Sequence, residues 1–207
     1  MSPLRLLSAA LSVSIIAAAP VAVPAAAQMK IGGNGFQLIK AVKDNDAGAF
    51  NEITRQNRAQ LNSAVLDYES DGETALQIAV RLDRRPFVND LLFFGANPNK
   101  VGGNGETPLT MAVMGRNLDL TELLLRGRAQ IDLGNRRGET PLIKAVLIRD
   151  LGLIQFLLSK GAKADKTDFA GRSARQYAVA DSRSPAITKA LTEAPKRGAR
   201  PVAGPKL

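Results

Sequence analysis

From about residue 72 to residue 194 the apolar positions follow a helical rhythm, broken at short intervals by glycine, proline and small polar residues. Phe87, Val88, Leu91 and Leu92 fall on one helical face, and so do Leu120, Leu123, Leu124 and Leu125. A shorter apolar run precedes each of these, so the pattern predicts pairs of helices. The pairs repeat. Gly72-Glu73-Thr74-Ala75-Leu76, Gly105-Glu106-Thr107-Pro108-Leu109, Gly138-Glu139-Thr140-Pro141-Leu142 and Gly171-Arg172-Ser173-Ala174-Arg175 begin 33 residues apart. Ala79-Val80, Ala112-Val113, Ala145-Val146 and Ala178-Val179 keep that interval, as do Leu91-Leu92, Leu124-Leu125, Leu157-Leu158 and Ala190-Leu191. A period sustained at three separate places in the unit marks whole structural modules that stack.

Each module has a physical reading. The glycine supplies a tight turn, and the Thr or Ser two residues on offers a hydroxyl to the unpaired amides of a starting helix. Pro108 and Pro141 stand at the first helical position, where a missing amide costs nothing. The recurring alanine lets the first helix pack closely on its neighbour. Pro86 and Pro185 open two of the second helices, and Gly95 and Gly161 end theirs. Polar stretches then lead through an extended hairpin into the next unit.

The 33-residue unit, the Thr107-Pro108-Leu109 and Thr140-Pro141-Leu142 helix starts and the Gly95-Ala96 and Gly161-Ala162 helix ends resemble the ankyrin repeat. The resemblance implies an all-α ankyrin-repeat solenoid of about five helix-turn-helix repeats with short hairpin loops. Clear repeats are expected at about 68–100, 101–133, 134–166 and 167–194. A weaker one is expected at about 36–67, with Phe36 to Val42 as its first helix and Ala49 to Ile53 in its second. Ala41 and Ala79 are 38 residues apart, which places about five extra residues between Arg55 and Asp67. Three departures matter. Gln77, Thr110, Ile143 and Gln176 replace the histidine usual at the helix start, so its bridging hydrogen bonds are weakened or made differently. Arg128 stands where the other units have Gly95 and Gly161, and Gly127 is expected to take the left-handed cap instead. Arg175 and Lys189 put charge where apolar residues stood earlier, which suits a terminal cap with a wet outer face.

Composition narrows the chemistry. The 207 residues include no cysteine, histidine or tryptophan. A disulfide scaffold, a thiolate nucleophile, a Ser-His-Asp triad, an imidazole base and the usual zinc site are thereby excluded. The net charge is +9. Residues 1–27 read as a secretory signal, with Arg5 at a weakly positive start, an apolar run from Leu6 to Ala19, and Ala25-Ala26-Ala27 before an expected cleavage. An uncleaved anchor is the alternative, although Pro20 and Pro24 interrupt the apolar stretch. The expected mature chain is exported, periplasmic in a Gram-negative source, with residues 28–35 as a flexible leader and 36–194 as the repeat domain. Residues 195–207 carry Lys196, Arg197, Arg200 and Lys206 without an acid, and are expected to form a disordered basic tail.

No group of residues points to catalysis, a cofactor or a metal. The GGNG segments at 32–35 and 102–105 lack the Lys-Ser or Lys-Thr of a phosphate loop and read as turns. Glu73, Glu106 and Glu139 recur at the repeat interval and should form a ladder along one edge, not a convergent pair. Functional signal is sought where repeats differ. By the resemblance, the concave face consists of hairpin tips and first-helix ends, which here carry Ser70, Asp71, Arg81, Leu82, Gly103, Asn104, Met114, Arg136, Arg137, Leu147, Ile148, Phe169 and Asp181. Met114, Leu147, Ile148 and Phe169 would form an apolar patch bordered by Arg136 and Arg137, with Arg81 and Asn104 nearby. Such a surface fits a protein partner. The alternative is that Leu147 and Ile148 only extend the core. The tail suggests a second reading, weak contact with an anionic envelope surface, against a solvated tail that aids solubility. Nucleic acid is not expected, since the basic residues are not interleaved with aromatic groups. The expected state is a monomer.

Overall fold

Four helices start on the hydroxyl that the 33-residue period supplies. Thr74, Thr107, Thr140 and Ser173 accept from the amides of Gln77, Thr110, Ile143 and Gln176 at 3.2, 3.1, 3.3 and 3.3 Å. The helices so capped are α4 (Ala75–Arg81), α6 (Pro108–Met114), α8 (Pro141–Leu147) and α10 (Ala174–Ala180). Upstream of them α1 (Ala25–Asp44) plays the same part in the first repeat. Their partners are α2 (Ala47–Gln56), α5 (Arg85–Phe93), α7 (Leu118–Arg126), α9 (Leu151–Ser159) and α11 (Pro185–Glu193). The computed structural model describes residues 25–56, 61, 63–181 and 183–194. The greater part of the expected signal segment and the whole basic tail lie outside the described residues.

The recurring Ala-Val pair has a second use. At the end of each of the first four first helices a residue turns left-handed: Asn45, Asp83, Arg116 and Arg149, with φ between 51° and 57°. Its amide bonds back to the valine carbonyl, and the next amide bonds to the alanine carbonyl, as in Asp83 to Val80 and Arg84 to Ala79. Both orphan carbonyls at the helix end are thereby satisfied. The alanine methyls are buried, so α1, α4, α6, α8 and α10 pack side by side in sequence.

Second helices end likewise at Gly95 and Gly161, with φ of 94° and 91°. In the third repeat Arg128, not Gly127, takes the left-handed turn, with φ of 66°. Gly127 keeps an ordinary helical φ of −76° because its place is set by packing: a Cβ there would stand 2.7 Å from Leu92 Cδ1. The expected shift of the cap is corrected accordingly.

Two other local expectations change. Helix α1 begins at Ala25, upstream of Phe36, and takes in residues 28–35. The first GGNG segment is therefore helical, not a turn, and a Cβ at Gly35 would stand 2.5 Å from Tyr68 Cβ. The longer first connection contains a one-turn helix, α3 (Ser63–Leu66), which buries Val65 and Leu66. Hairpins join the repeats. The first has paired strands, β1 (Glu69–Ser70) and β2 (Glu73–Thr74), with Glu69 opposite Thr74 and Ser70 opposite Glu73. In the later hairpins two backbone bonds close each loop: the amides of Gly102, Asn135 and Asp168 donate to the carbonyls of Glu106, Glu139 and Arg172, and the amides of Gly105, Gly138 and Gly171 donate back to the carbonyls of Gly102, Asn135 and Asp168. The architecture is an all-α solenoid of five helix pairs with short hairpin loops.

Candidate functional site: the face of hairpin tips and first helices

Hairpin tips and first helices lie together along one side of the stack. Tips of adjacent repeats bond backbone to backbone: Gly103 to Gly72 at 2.5 Å, Arg136 to Gly105 at 2.7 Å and Phe169 to Arg137 at 3.0 Å. On this frame the side chains expected to bind a partner separate into different roles.

Arg81, at the end of α4, folds onto Glu73, with Nε 3.1 Å from both carboxylate oxygens and Nη2 2.8 Å from Oε2. Leu82 is half-buried and packs on the core. Asn104 accepts from the Glu106 amide at 2.9 Å. With Met111, Met114 and Glu106 it lines an open groove of about 450 Å³ between α4 and α6. Met114 is 48% exposed. Arg136 is a clamp, donating to the carbonyls of Gly103 and Gly102 at 3.2 Å each. The Arg137 side chain is 81% exposed. Leu147, 46% exposed, lines a second groove of about 430 Å³ between α8 and α10, shared with Val146, Tyr177, Asp181 and Arg183. Ile148 is half-buried against the core and its carbonyl accepts from Arg116, so it leaves the expected patch. Phe169, at the tip of the last hairpin, is 82% exposed and lies against Gly138. The expected single apolar patch is thus two grooves with an Arg-Phe ridge beside them.

The carboxylate ladder is corrected too. Only Glu73 stands apart. Lys144 Nζ lies 3.1 Å from Glu106 Oε1 and 2.7 Å from Glu139 Oε2, and Asn135 Nδ2 donates to the same two oxygens at 3.0 and 2.9 Å. The side chains of Lys144, Glu106 and Glu139 are only 12, 17 and 10% exposed. Burial works to raise the Glu139 carboxyl, but hydrogen bonds from Lys144 and Asn135 and the charges of Lys144 and Arg137 hold it below the usual carboxylate range. Burial likewise works against the Lys144 ammonium, and the two carboxylates together raise it above the ordinary lysine value. Glu106 Oε2 is buried with no hydrogen-bond partner. A buried ammonium spanning two repeats is a tie between them. Farther along, Asp168 accepts from Tyr177 Oη at 2.7 Å and from the amides of Ala170 and Arg172 at 2.9 Å.

Met111, Tyr177, Arg172 and Arg183 belong to the face without having been expected there. Ile78, Met111, Lys144 and Tyr177 occupy one position of the 33-residue period, a variable row that would have identified Met111, Lys144 and Tyr177. Among the described residues no group of His, Cys, Asp or Glu is arranged to hold a metal, and no helix is long and apolar enough to cross a membrane.

Comparison with known proteins agrees with this architecture. The family profile described as ankyrin repeats (3 copies) matches residues 76–169. The chain is 35% identical over 100 residues to the nuclear factor NF-kappa-B p110 subunit of Drosophila melanogaster, covering 47% of this chain and 10% of that protein. It is 40% identical over 75 residues to the putative ankyrin repeat protein FPV031 of fowlpox virus (strain NVSL), covering 35% of this chain and 22% of that one. It is 31% identical over 100 residues to the neurogenic locus Notch protein of Drosophila melanogaster, 47% of this chain and 4% of that protein. The chain therefore spans less than a quarter of the length of these relatives. With five stacked helix pairs and these matches, residues 76–169 are ankyrin repeats, which are protein–protein interaction modules.

Proposed function

We propose that this chain is an exported binding module that takes a protein partner on its concave face and carries out no catalytic step. One observation carries the reading: Met114, Leu147 and Phe169 stand exposed along that face, the first two lining open grooves, where an isolated monomer would gain nothing from apolar side chains. The first helices beneath them are close-packed, so the surface is preformed and little ordering is needed on association. A scaffold, an inhibitor and an assembly factor would all use it in this way. The buried acids supply no alternative, since Glu106 and Glu139 are held by Lys144 and Asn135. Export rests on Arg5, the apolar run 6–19 and the alanines at 25–27.

The test is site-specific photocrosslinking in the native compartment, with the crosslinker replacing Met114, Leu147 or Arg126, the last an exposed residue of α7 in the second-helix layer. One protein attached at the first two positions and absent at Arg126 supports the reading. Equal attachment at all three, or none at Met114 and Leu147, refutes it.

A further inference from the structure

Charge changes character along the concave face. In the second and third repeats the tips carry Ser70, Asp71, Gly103 and Asn104, and Arg81 is neutralised by a two-pronged contact with Glu73. In the fourth and fifth repeats the tips carry Arg136, Arg137 and Phe169. Arg172 stands where the earlier repeats have Glu73, Glu106 and Glu139. The carboxylates there are already engaged. Arg137 is 4.0 Å from Glu139, whose oxygens serve Lys144 and Asn135 at closer range. Asp181 is shared by two guanidiniums, Arg149 at 2.5 Å and Arg183 at 2.9 Å. Arg172 has its guanidinium 4.5 Å from the centre of the Tyr177 ring. The far half of the face therefore presents more guanidinium than carboxylate around an apolar floor of Val146, Leu147 and Tyr177.

We propose that the occupant of this half is an acidic, extended segment of the partner protein, with an apolar side chain seated between α8 and α10 and carboxylates meeting Arg137, Arg172 and Arg183. The inference rests on the concave-face reading above and adds the chemistry of the partner. A guanidinium fork grips a carboxylate with two parallel hydrogen bonds, and the Arg137 and Arg183 side chains, 81 and 71% exposed, are open to one. Packed helices are about 8–10 Å apart, and an extended chain advances about 3.3 Å per residue. Acidic residues about three positions apart therefore match successive repeats. A nucleic acid is less suited, since stacking needs free ring faces: the Tyr177 ring is overlain by Arg172 and its hydroxyl is tied to Asp168. A flat bilayer would meet the tips but not the groove floor at Leu147.

The experiment uses the full mature chain and fluorescence anisotropy at low and high salt. The probes are a fluorescein-labelled peptide of repeated Glu-Ser-Leu units and its counterpart with Gln for every Glu. Labelled oligothymidylate and phosphatidylglycerol vesicles are the competing surfaces. The acidic peptide should bind about tenfold or more tighter than the Gln peptide at low salt, and less so at high salt. Arg137→Gln and Arg172→Gln should each weaken it about three- to tenfold, and Arg126→Gln should leave it unchanged. Circular dichroism establishes that each variant is folded; if Arg172→Gln is not, Arg137→Gln and Arg183→Gln decide. Equal binding of the two peptides, no binding of either, indifference to the arginine variants, or a preference for oligothymidylate or vesicles overturns the proposal. If Leu147→Asp weakens both peptides alike while Glu and Gln bind equally, the acid preference fails and the concave-face reading survives. Loss of the site-specific crosslinks removes the reading itself.

Discussion

The amide of Gly103 donates to the carbonyl of Gly72 at 2.5 Å, so the hairpin tips of the second and third repeats meet with no side chain between them. A Cβ at Gly103 would stand 2.8 Å from Gly72 Cα and 3.2 Å from its carbonyl oxygen. Backbone atoms cannot swing aside as a side-chain end can. Gly103→Ala is therefore expected to cost about 1–3 kcal/mol, read as a lower urea midpoint. Gly95→Ala, where the added methyl meets nothing within 4 Å, should cost only the left-handed strain of about 1 kcal/mol. A Gly103→Ala protein that unfolds like the parent would show that the tips are not held by this contact.

Arg128 offers a gain. Its φ of 66° is one that glycine adopts without strain, while Gly127 beside it is needed for the approach to Leu92. Arg128→Gly should raise stability by about 1 kcal/mol, seen as a thermal midpoint a few degrees higher by circular dichroism. Gly127→Ala should lower it. The reverse order of the two variants would return the cap to Gly127.

The parts legible in the sequence were those decided within a few residues. A hydroxyl before a helix, a proline at its first position and a glycine after its last act locally, so Thr74, Thr107, Thr140 and Ser173 could be assigned from spacing alone. What escaped depends on a neighbour one repeat away. Gly127 looks like a cap until Leu92 is beside it, Gly35 like a turn until Tyr68 is, and Glu106 and Glu139 like rungs of a ladder until Lys144 reaches both. Of the expected binding residues, Phe169 and Leu147 are exposed, whereas Arg136 and Ile148 are drawn into contacts between repeats.

The Lys144 cluster makes stability depend on pH at both ends. The Glu139 carboxyl is held below its unfolded value, so its contribution is present above about pH 4.3 and is lost as the pH falls through the depressed value. The Lys144 ammonium is raised, so its contribution is present below about pH 10.4 and is lost as the pH rises through the raised value. Lys144→Met removes the cation between two largely buried carboxylates and should cost about 2 kcal/mol at neutral pH. Its acid limb should also invert. With the cation gone, burial and the neighbouring Glu106 charge raise the Glu139 carboxyl, so its protonation brings relief, and the variant should gain stability between pH 7 and pH 5. Urea midpoints at pH 5, 7 and 9 check this, and a loss of equal size at all three would mean that Lys144 contributes packing alone.

Gln77 stands where ankyrin repeats usually place a histidine, and it too connects two repeats. Its Oε1 accepts from the Thr74 amide at 2.9 Å, and its Nε2 donates to the carbonyls of Lys100 and Glu106 at 3.2 Å each. The side chain is fully buried. Ile143 holds the same place in the fourth repeat and is equally buried, with no polar group to offer. Methionine is close to both in volume, so the pair of substitutions separates hydrogen bonding from packing. Ile143→Met should cost no more than about 1 kcal/mol. Gln77→Met leaves the Thr74 amide and the Lys100 carbonyl without this partner, reduces the Glu106 carbonyl to its bond from Gly102, and should cost about 2 kcal/mol. Because those carbonyls belong to the hairpin of the next repeat, amide hydrogen exchange should also quicken between residues 100 and 106 in the Gln77→Met protein, and unchanged exchange there with equal losses in the two variants would reduce Gln77 to a space-filler.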